Sequence, residues 1–200
     1  VANAYDSVRN FEEKIADFTG APYAIALNSC TSALFLSCKY CNVQKVTIPK
    51  RTYPSVPCSI LHSGGRVVFE DLKWTGIYQL KPYLIWDCSK RLKKNMYIQG
   101  AFCCLSFHWK KSLPLGRGGM ILTDDIDAVK WFKLARFDGR HEAPLETDKL
   151  AMVGWNMYMT PEEASRGLTL LDRVSDNNPD MPYEKYQDLS KYNMYTGNEE

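Results

Sequence analysis

Apolar residues fall at Val8, Phe11, Ile15 and Phe18. This spacing of three and four predicts an amphipathic helix over 8–18 with one face on a core, ended by Gly20. The run Tyr23-Ala24-Ile25-Ala26-Leu27 predicts a short strand, 28–32 a small polar turn, and 33–38 a helix opening directly from it. A second strand is expected at Val46-Thr47-Ile48. After Arg51-Thr52-Tyr53-Pro54 a helical stretch runs to His62, Gly64-Gly65 turns the chain, and RVVFE at 66–70 is a third strand. Residues 71–82 carry no pattern firm enough to predict an element. Further strands are expected at 83–86, with Asp87 at its carboxyl end, at 101–107 and at 120–123. Residues 126–135 read as a helix. Thr160, Pro161 and Glu163 supply an N-cap, a first-position proline and a capping-box acid for a helix running through Gly167 towards Leu171. Beyond Arg173 the composition shifts to Asn, Asp, Pro, Tyr and Gly, which predicts a weakly packed tail over 175–200. Strands alternating with helices predict an α/β sheet.

Composition narrows the setting. Two hundred residues suit one sizeable domain, or a domain with a tail. A net charge of +2, from 25 basic and 23 acidic residues, gives no reason to expect nucleic acid as a partner. No run approaches the ~20 apolar residues that span a bilayer, so no membrane partner is expected. The amphipathic, acidic N-terminal stretch does not resemble a secretory signal. The seven cysteines are an odd number, and Cys30, Cys38, Cys58, Cys88, Cys103 and Cys104 lie in apolar surroundings. Free thiols in a reducing cytoplasm are the expectation. Cys38 and Cys41 have C-x-x-C spacing, but no second pair follows to complete a zinc site. No metal is expected.

Three places carry candidate chemistry. Residues 106–119, SFHWKKSLPLGRGG, set two lysines between a polar turn and a glycine cluster. An uncharged lysine amine forms Schiff bases with carbonyl compounds. The strand–turn–helix at 23–38 is the arrangement that aims N–H groups at an anion, although a plain cap by Ser29 or Thr31 is the commoner explanation. Asp87 stands at the strand edge where α/β sheets collect ligands, or it caps a turn. From the residues alone, both Lys110 and Lys111 stay open.

Taken in order, these pieces resemble the DegT/DnrJ/EryC1/StrS family of sugar aminotransferases. FEEKIADFTGAPYAIALNSCTSAL is similar to the family's opening helix and S-G-T-x-A-L turn, and RTYPSVPCSILHSGGRVVFED to its T-[FY]-x-[AS] segment. IWDCSK is similar to E-D-x-A-Q, SFHWKKSLPLGRGGMILTDD to S-F-[HN]-x-x-K-x(4)-G-x-G-G, and VGWNMYMTPEEASRGLTLLDRV to G-x-N-x-R-[ML]-x-x-[ILM]-x-A-A-x-G-x-x-Q-L. The resemblance implies the aspartate-aminotransferase-like fold (fold type I), with a mixed, mostly parallel central sheet flanked by helices. It also implies pyridoxal 5'-phosphate (PLP) as cofactor.

The resemblance assigns roles. The family's Schiff-base lysine lies five residues after the motif serine and five before the first glycine, which is Lys111. Asp87 would pair with the pyridinium nitrogen and Tyr53 would stack on the ring. Thr31, Ser32 and Ser106 would hold the phosphate. Asn156 would reach the cofactor of a neighbouring subunit, implying a homodimer. Lys90, where the family has glutamine, would donate to the phenolic oxygen and lower the pKa of Lys111 by its charge. Cys30 stands in place of the glycine of the phosphate turn, and Tyr158 in place of an arginine.

The resemblance also implies two shortenings. The family's helix–strand–helix between 71 and 83 is reduced to a connector. After 174, where the family continues with a small domain, a short tail is expected, so that 1–174 form a reduced PLP-binding domain and 175–200 the tail. The expected activity is transfer of an amino group from an amino acid such as glutamate to a keto-sugar, nucleotide-linked. The alternatives are a PLP-binding or assembly protein without turnover, and sugar dehydration. Dehydrating relatives carry histidine at the Schiff-base position, so Lys111 opposes the latter.

Overall fold

A computed structural model describes residues 3–183 and 186–196. Helix α1 (Asp6–Thr19) buries Val8, Phe11 and Ile15 on one face. Its end is set by Gly20 at φ 72°, whose N–H donates to the Ala16 carbonyl, the left-handed cap that glycine adopts freely. Strand β1 (Tyr23–Leu27) leads to α2 (Cys30–Tyr40). This helix starts three residues before the expected point, because Ser29 is extended and its Oγ accepts the Ser32 N–H at 3.1 Å. The polar turn is thus the helix's own capped first turn.

The chain continues through β2 (Lys45–Pro49), α3 (Ser55–His62), β3 (Arg66–Glu70), β4 (Tyr78–Gln79), β5 (Ile85–Asp87), β6 (Phe102–Ser106) and β7 (Gly119–Thr123). Helices α4 (Ile126–Ala135) and α5 (Pro161–Leu171) follow, then a 3-10 turn (Leu189–Lys191) and α6 (Asn193–Thr196). The capping box of α5 is present as expected, with Thr160 and Glu163 bonding each other's backbone. Among the described residues, no helix is long and apolar enough to cross a membrane.

Five strands lie in the order β1-β7-β6-β5-β4. The parallel pair β2–β3 joins them through Thr47 and Lys81, which exchange backbone bonds of 2.8 and 3.1 Å. Pairing is parallel at β5–β6 and antiparallel at β1–β7, β6–β7 and β4–β5. Traced through these ladders, β1, β2, β3, β5 and β6 run one way, and β4 and β7 run against them. The sheet is mixed and mostly parallel in strand direction, as expected. Strand β4 was not expected. A parallel return needs a crossover of about a dozen residues or more, usually helical. Without one, the connector 71–84 enters the slot beside β5 by the antiparallel route.

Helices cover both faces. In β1, Ile25 and Leu27 join one apolar cluster with α2, α3 and α4, while Ala24 and Ala26 join the other with α1 and α5. This is the two-residue alternation of a strand buried on both sides. Cys103 and Cys104 split the same way, and every cysteine is a free thiol. One end of the second cluster is pinned by Arg136, 1% exposed, which bonds Glu12, the Ala26 carbonyl at 2.7 Å and Glu142 at 3.1 Å.

The tail differs from expectation. Asp180 accepts from Arg91 Nε at 3.0 Å and pairs with Lys93 at 3.2 Å. The Met181 N–H donates to the Lys90 carbonyl at 3.0 Å, and the Leu189 N–H to that of Lys50 at 2.8 Å. Tyr183 stacks on Trp74 at 5.5 Å and 16°. The described part is therefore a strap tied from the exit of β5 to the exit of β2. Its anchors are ionic, aromatic and main-chain, so a polar composition concealed them.

Candidate functional site at the carboxyl edge of the sheet

The carboxyl ends of β1, β5 and β6 deliver the Asn28–Ser32 turn, Asp87 and Ser106 to one edge. Glycine makes the closest approach possible. A Cβ on Gly119 would lie 2.3 Å from the Ser29 carbonyl carbon and 2.4 Å from the Cys30 nitrogen. β7 thus starts directly against the N-terminus of α2. There the first-turn N–H groups of the helix, apart from that of Ser32, lack intrahelical acceptors.

Asp87 is 2% exposed and held on both oxygens. Oδ1 accepts the Ser89 N–H at 2.9 Å and Oδ2 accepts the Tyr78 hydroxyl at 2.8 Å. Lys111 is half-buried, and its amine makes no hydrogen bond or ion pair among the described residues. Burial pushes its pKa below the ordinary lysine value, while the charges of Asp87 and Cys30 pull the other way. Cys30 is pushed well up, first by burial and then by Asp87, with Lys111 opposing. The three side chains are therefore electrostatic neighbours. Lys110 goes elsewhere: it is exposed, with its amine over the Trp109 ring at 4.7 Å.

The other candidates are more dispersed. Ser32 is buried and donates to Asn28 Oδ1 at 2.7 Å; Thr31 is exposed and donates to Ser55 Oγ at 2.8 Å. Ser106, half-buried at the end of β6, accepts the His108 N–H at 3.5 Å. Tyr53 is 56% exposed and meets the Tyr186 ring edge-on at 6.3 Å. Asn156 is exposed and donates to Asp138 Oδ2 at 3.2 Å. Cys30 is the first residue of α2 without positive φ, so the turn does not use a glycine's freedom there.

Lys90 lies against the strap: its amine donates to the Pro182 carbonyl and lies 4.8 Å from the Tyr186 ring centre. The downward shift of Lys111 comes first from burial. Sequence reasoning also missed Tyr78, Thr52 and Tyr186. Tyr186 belongs to the strap; its pKa rises to about 12, first through burial and then through Asp87, Tyr53 and Cys30. Its hydroxyl therefore lies in the field of the site. Thr52 is the first residue of the T-[FY]-x-[AS] segment, but no local pattern marks Tyr78 or Tyr186, because each reaches the edge only through the fold.

The donor set suits PLP. A buried, hydrogen-bonded carboxylate matches a pyridinium nitrogen, a lysine whose burial disfavours its charge matches an aldehyde, and a capped helix start matches a phosphate. Tyr186 stands beside the same opening.

The fold is that of the fold type I, aspartate-aminotransferase-like proteins. The Spr1654 structures from Streptococcus pneumoniae, solved in PMP and PLP forms, superpose with TM-scores of 0.72 and 0.71. They are 18% and 19% identical, and both alignments cover 84% of this chain and 59% of theirs. The chain belongs to the DegT/DnrJ/EryC1/StrS aminotransferase family, whose sequence model matches residues 1–86 and 92–182. It is 26% identical over 213 residues to GDP-perosamine synthase from Caulobacter vibrioides, covering 84% of this chain and 57% of that protein. It is 22% identical over 231 residues to the UDP-4-amino-4,6-dideoxy-N-acetyl-beta-L-altrosamine transaminase of Campylobacter jejuni, covering 92% and 60%. The chain thus spans about three-fifths of these relatives' length.

Proposed function

We propose that this chain holds PLP for an aminotransferase that moves an amino group from an amino acid, glutamate being the first donor to test, to a nucleotide-linked keto-sugar. The observation that carries the reading is the convergence of Lys111 and Asp87 beside Cys30 at the sheet edge, with Lys110 turned away. The names of the two relatives support the sugar class, and the PLP and PMP forms of the structural neighbour support the cofactor.

When bound, PLP supplies an electron sink. Lys111 would hold the cofactor through its aldehyde, and its amine would carry the proton at the substrate carbon. Asp87 holds the proton on the ring nitrogen, because a fixed carboxylate favours the adjacent cation. The start of α2, Thr31, Ser32 and Ser106 take the phosphate, and Tyr53 covers a ring face. Lys90 would donate to the phenolic oxygen once its amine leaves the Pro182 carbonyl. On this reading residues 1–174 hold the cofactor and the strap closes over the edge. The working unit is a homodimer in which Asn156 reaches the second site; exposed Leu150 and Val153, just before Asn156 in sequence, support a partner there.

A second reading, a PLP-binding or assembly protein without turnover, is favoured by one observation. Tyr186 lies against both Tyr53 and Lys90, the residues meant to flank the cofactor.

Borohydride reduction of the protein mixed with PLP, followed by peptide mapping, tests the first reading. The expected result is a pyridoxyl label on Lys111, with conversion to the PMP spectrum when glutamate precedes reduction. A label without response to any amino donor selects the second reading, and no label at Lys111 removes the first.

A further inference from the structure

Tyr78 lies on β4, in the connector where the family pattern has other elements. It is 2% exposed, and its ring packs on Trp74 at 4.6 Å and 61°. Its hydroxyl donates to Asp87 Oδ2 at 2.8 Å and pairs with Thr52 Oγ1. Thr52 is 1% exposed and precedes Tyr53, the residue assigned to the ring face.

The direction of this chain follows from proton counting. A phenol has one proton to give, and an ionised carboxylate only accepts. With the Tyr78 proton on Asp87, the Thr52 hydroxyl donates to Tyr78. Asp87 therefore receives one donor on each oxygen, Tyr78 on Oδ2 and the Ser89 N–H on Oδ1. Together they fix the plane of the carboxylate. Each oxygen keeps a lone pair for a further donor.

We propose that Tyr78 is a positioning residue: the Thr52–Tyr78 pair holds the Asp87 carboxylate oriented for the ring nitrogen of the cofactor. The proposal rests on the PLP reading above and adds what the shortened connector contributes to it. Polar pairs buried together reinforce one another, so the loss of either hydroxyl is felt at Asp87.

A merely structural tyrosine stabilises the pocket for any ligand of the same shape. One acting through Asp87 matters only when the ligand has a ring nitrogen. The test compares binding of PLP with that of its 1-deaza analogue, in which carbon replaces that nitrogen, to wild type, Tyr78→Phe and Thr52→Val. Tyr78→Phe is expected to weaken PLP about tenfold or more, the scale of a hydrogen bond to a charged group, and to leave the deaza analogue unchanged. Thr52→Val, which probes the same pair from its far end should Tyr78→Phe not fold, is expected to show a smaller loss with the same selectivity. Equal losses for both ligands, or no loss for either, overturn the proposal. Failure of wild type to bind PLP overturns the underlying reading with it, so the two failures are distinct.

Discussion

Lys110 and Lys111 differ by one position along the loop from β6 to β7, and their surroundings are opposite. Lys110 has solvent and the face of Trp109; Lys111 has burial, Asp87 and Cys30. Spacing within the resembled motif points to Lys111, and the difference in surroundings agrees with that choice; the burial behind the Lys111 shift is set by the fold and was not legible in the sequence. Burial disfavours the ammonium, so the amine loses its proton at lower pH than an ordinary lysine. In competitive acetylation read by mass spectrometry, Lys111 is expected to titrate with a midpoint below 10.5. The sign of the Asp87 contribution gives a sharper check. Its charge raises the Lys111 pKa, so Asp87→Asn should move that midpoint further down. An upward move would mean that Asp87 does not face the lysine.

At the level of elements, the site depends on the contact between β7 and the first turn of α2. The Cβ of an alanine at 119 would meet backbone atoms of Ser29 and Cys30 at 2.3 to 2.5 Å, and backbone cannot swing aside. Gly119→Ala is expected to destabilise the fold by about 1–3 kcal/mol, the usual cost of overpacking, seen as a lower urea midpoint with an unchanged slope. An unchanged midpoint would show that the junction is loose. Elements with a repeating apolar pattern or a cap were legible from the residues: α1, β1, β3, α4 and α5 lie close to their expected positions. Strand β4 was not. Two residues, Tyr78 and Gln79, carry no periodicity, and their strand character comes from pairing with Trp86 and Asp87. The same limit hid Tyr78 as a partner of Asp87, whereas Asp87 itself was visible at a predicted strand end.

For the whole molecule, the strap ties the C-terminal residues to the sheet edge. It is latched at one end by Asp180 on Arg91 and Lys93 and at the other by Asp188 on Lys50. Between them Trp74 stacks on Tyr183 and Tyr186. Connector and strap are matched: Gly76 has φ 73°, and a Cβ there would lie 2.5 Å from the Asp180 carboxylate. The hydrogen bond from Arg91, then that from Lys93, holds the Asp180 pKa below 3.8. A depressed carboxylate contributes stability above its unfolded value and loses it as pH falls through the folded one. The latch should therefore persist at mildly acid pH and release only below the ordinary carboxylate range. Asp180→Asn removes it at neutral pH. The Met181 amide, bonded to the Lys90 carbonyl, is then expected to exchange hydrogen about tenfold faster, with β6 amides unchanged. If the strap covers the mouth through Tyr186, PLP should also associate faster with this variant than with wild type. Faster exchange with an unchanged association rate would show that the strap is tied to the edge without guarding it. Unchanged exchange would mean that the aromatic stack on Trp74 holds the strap without the ion pairs.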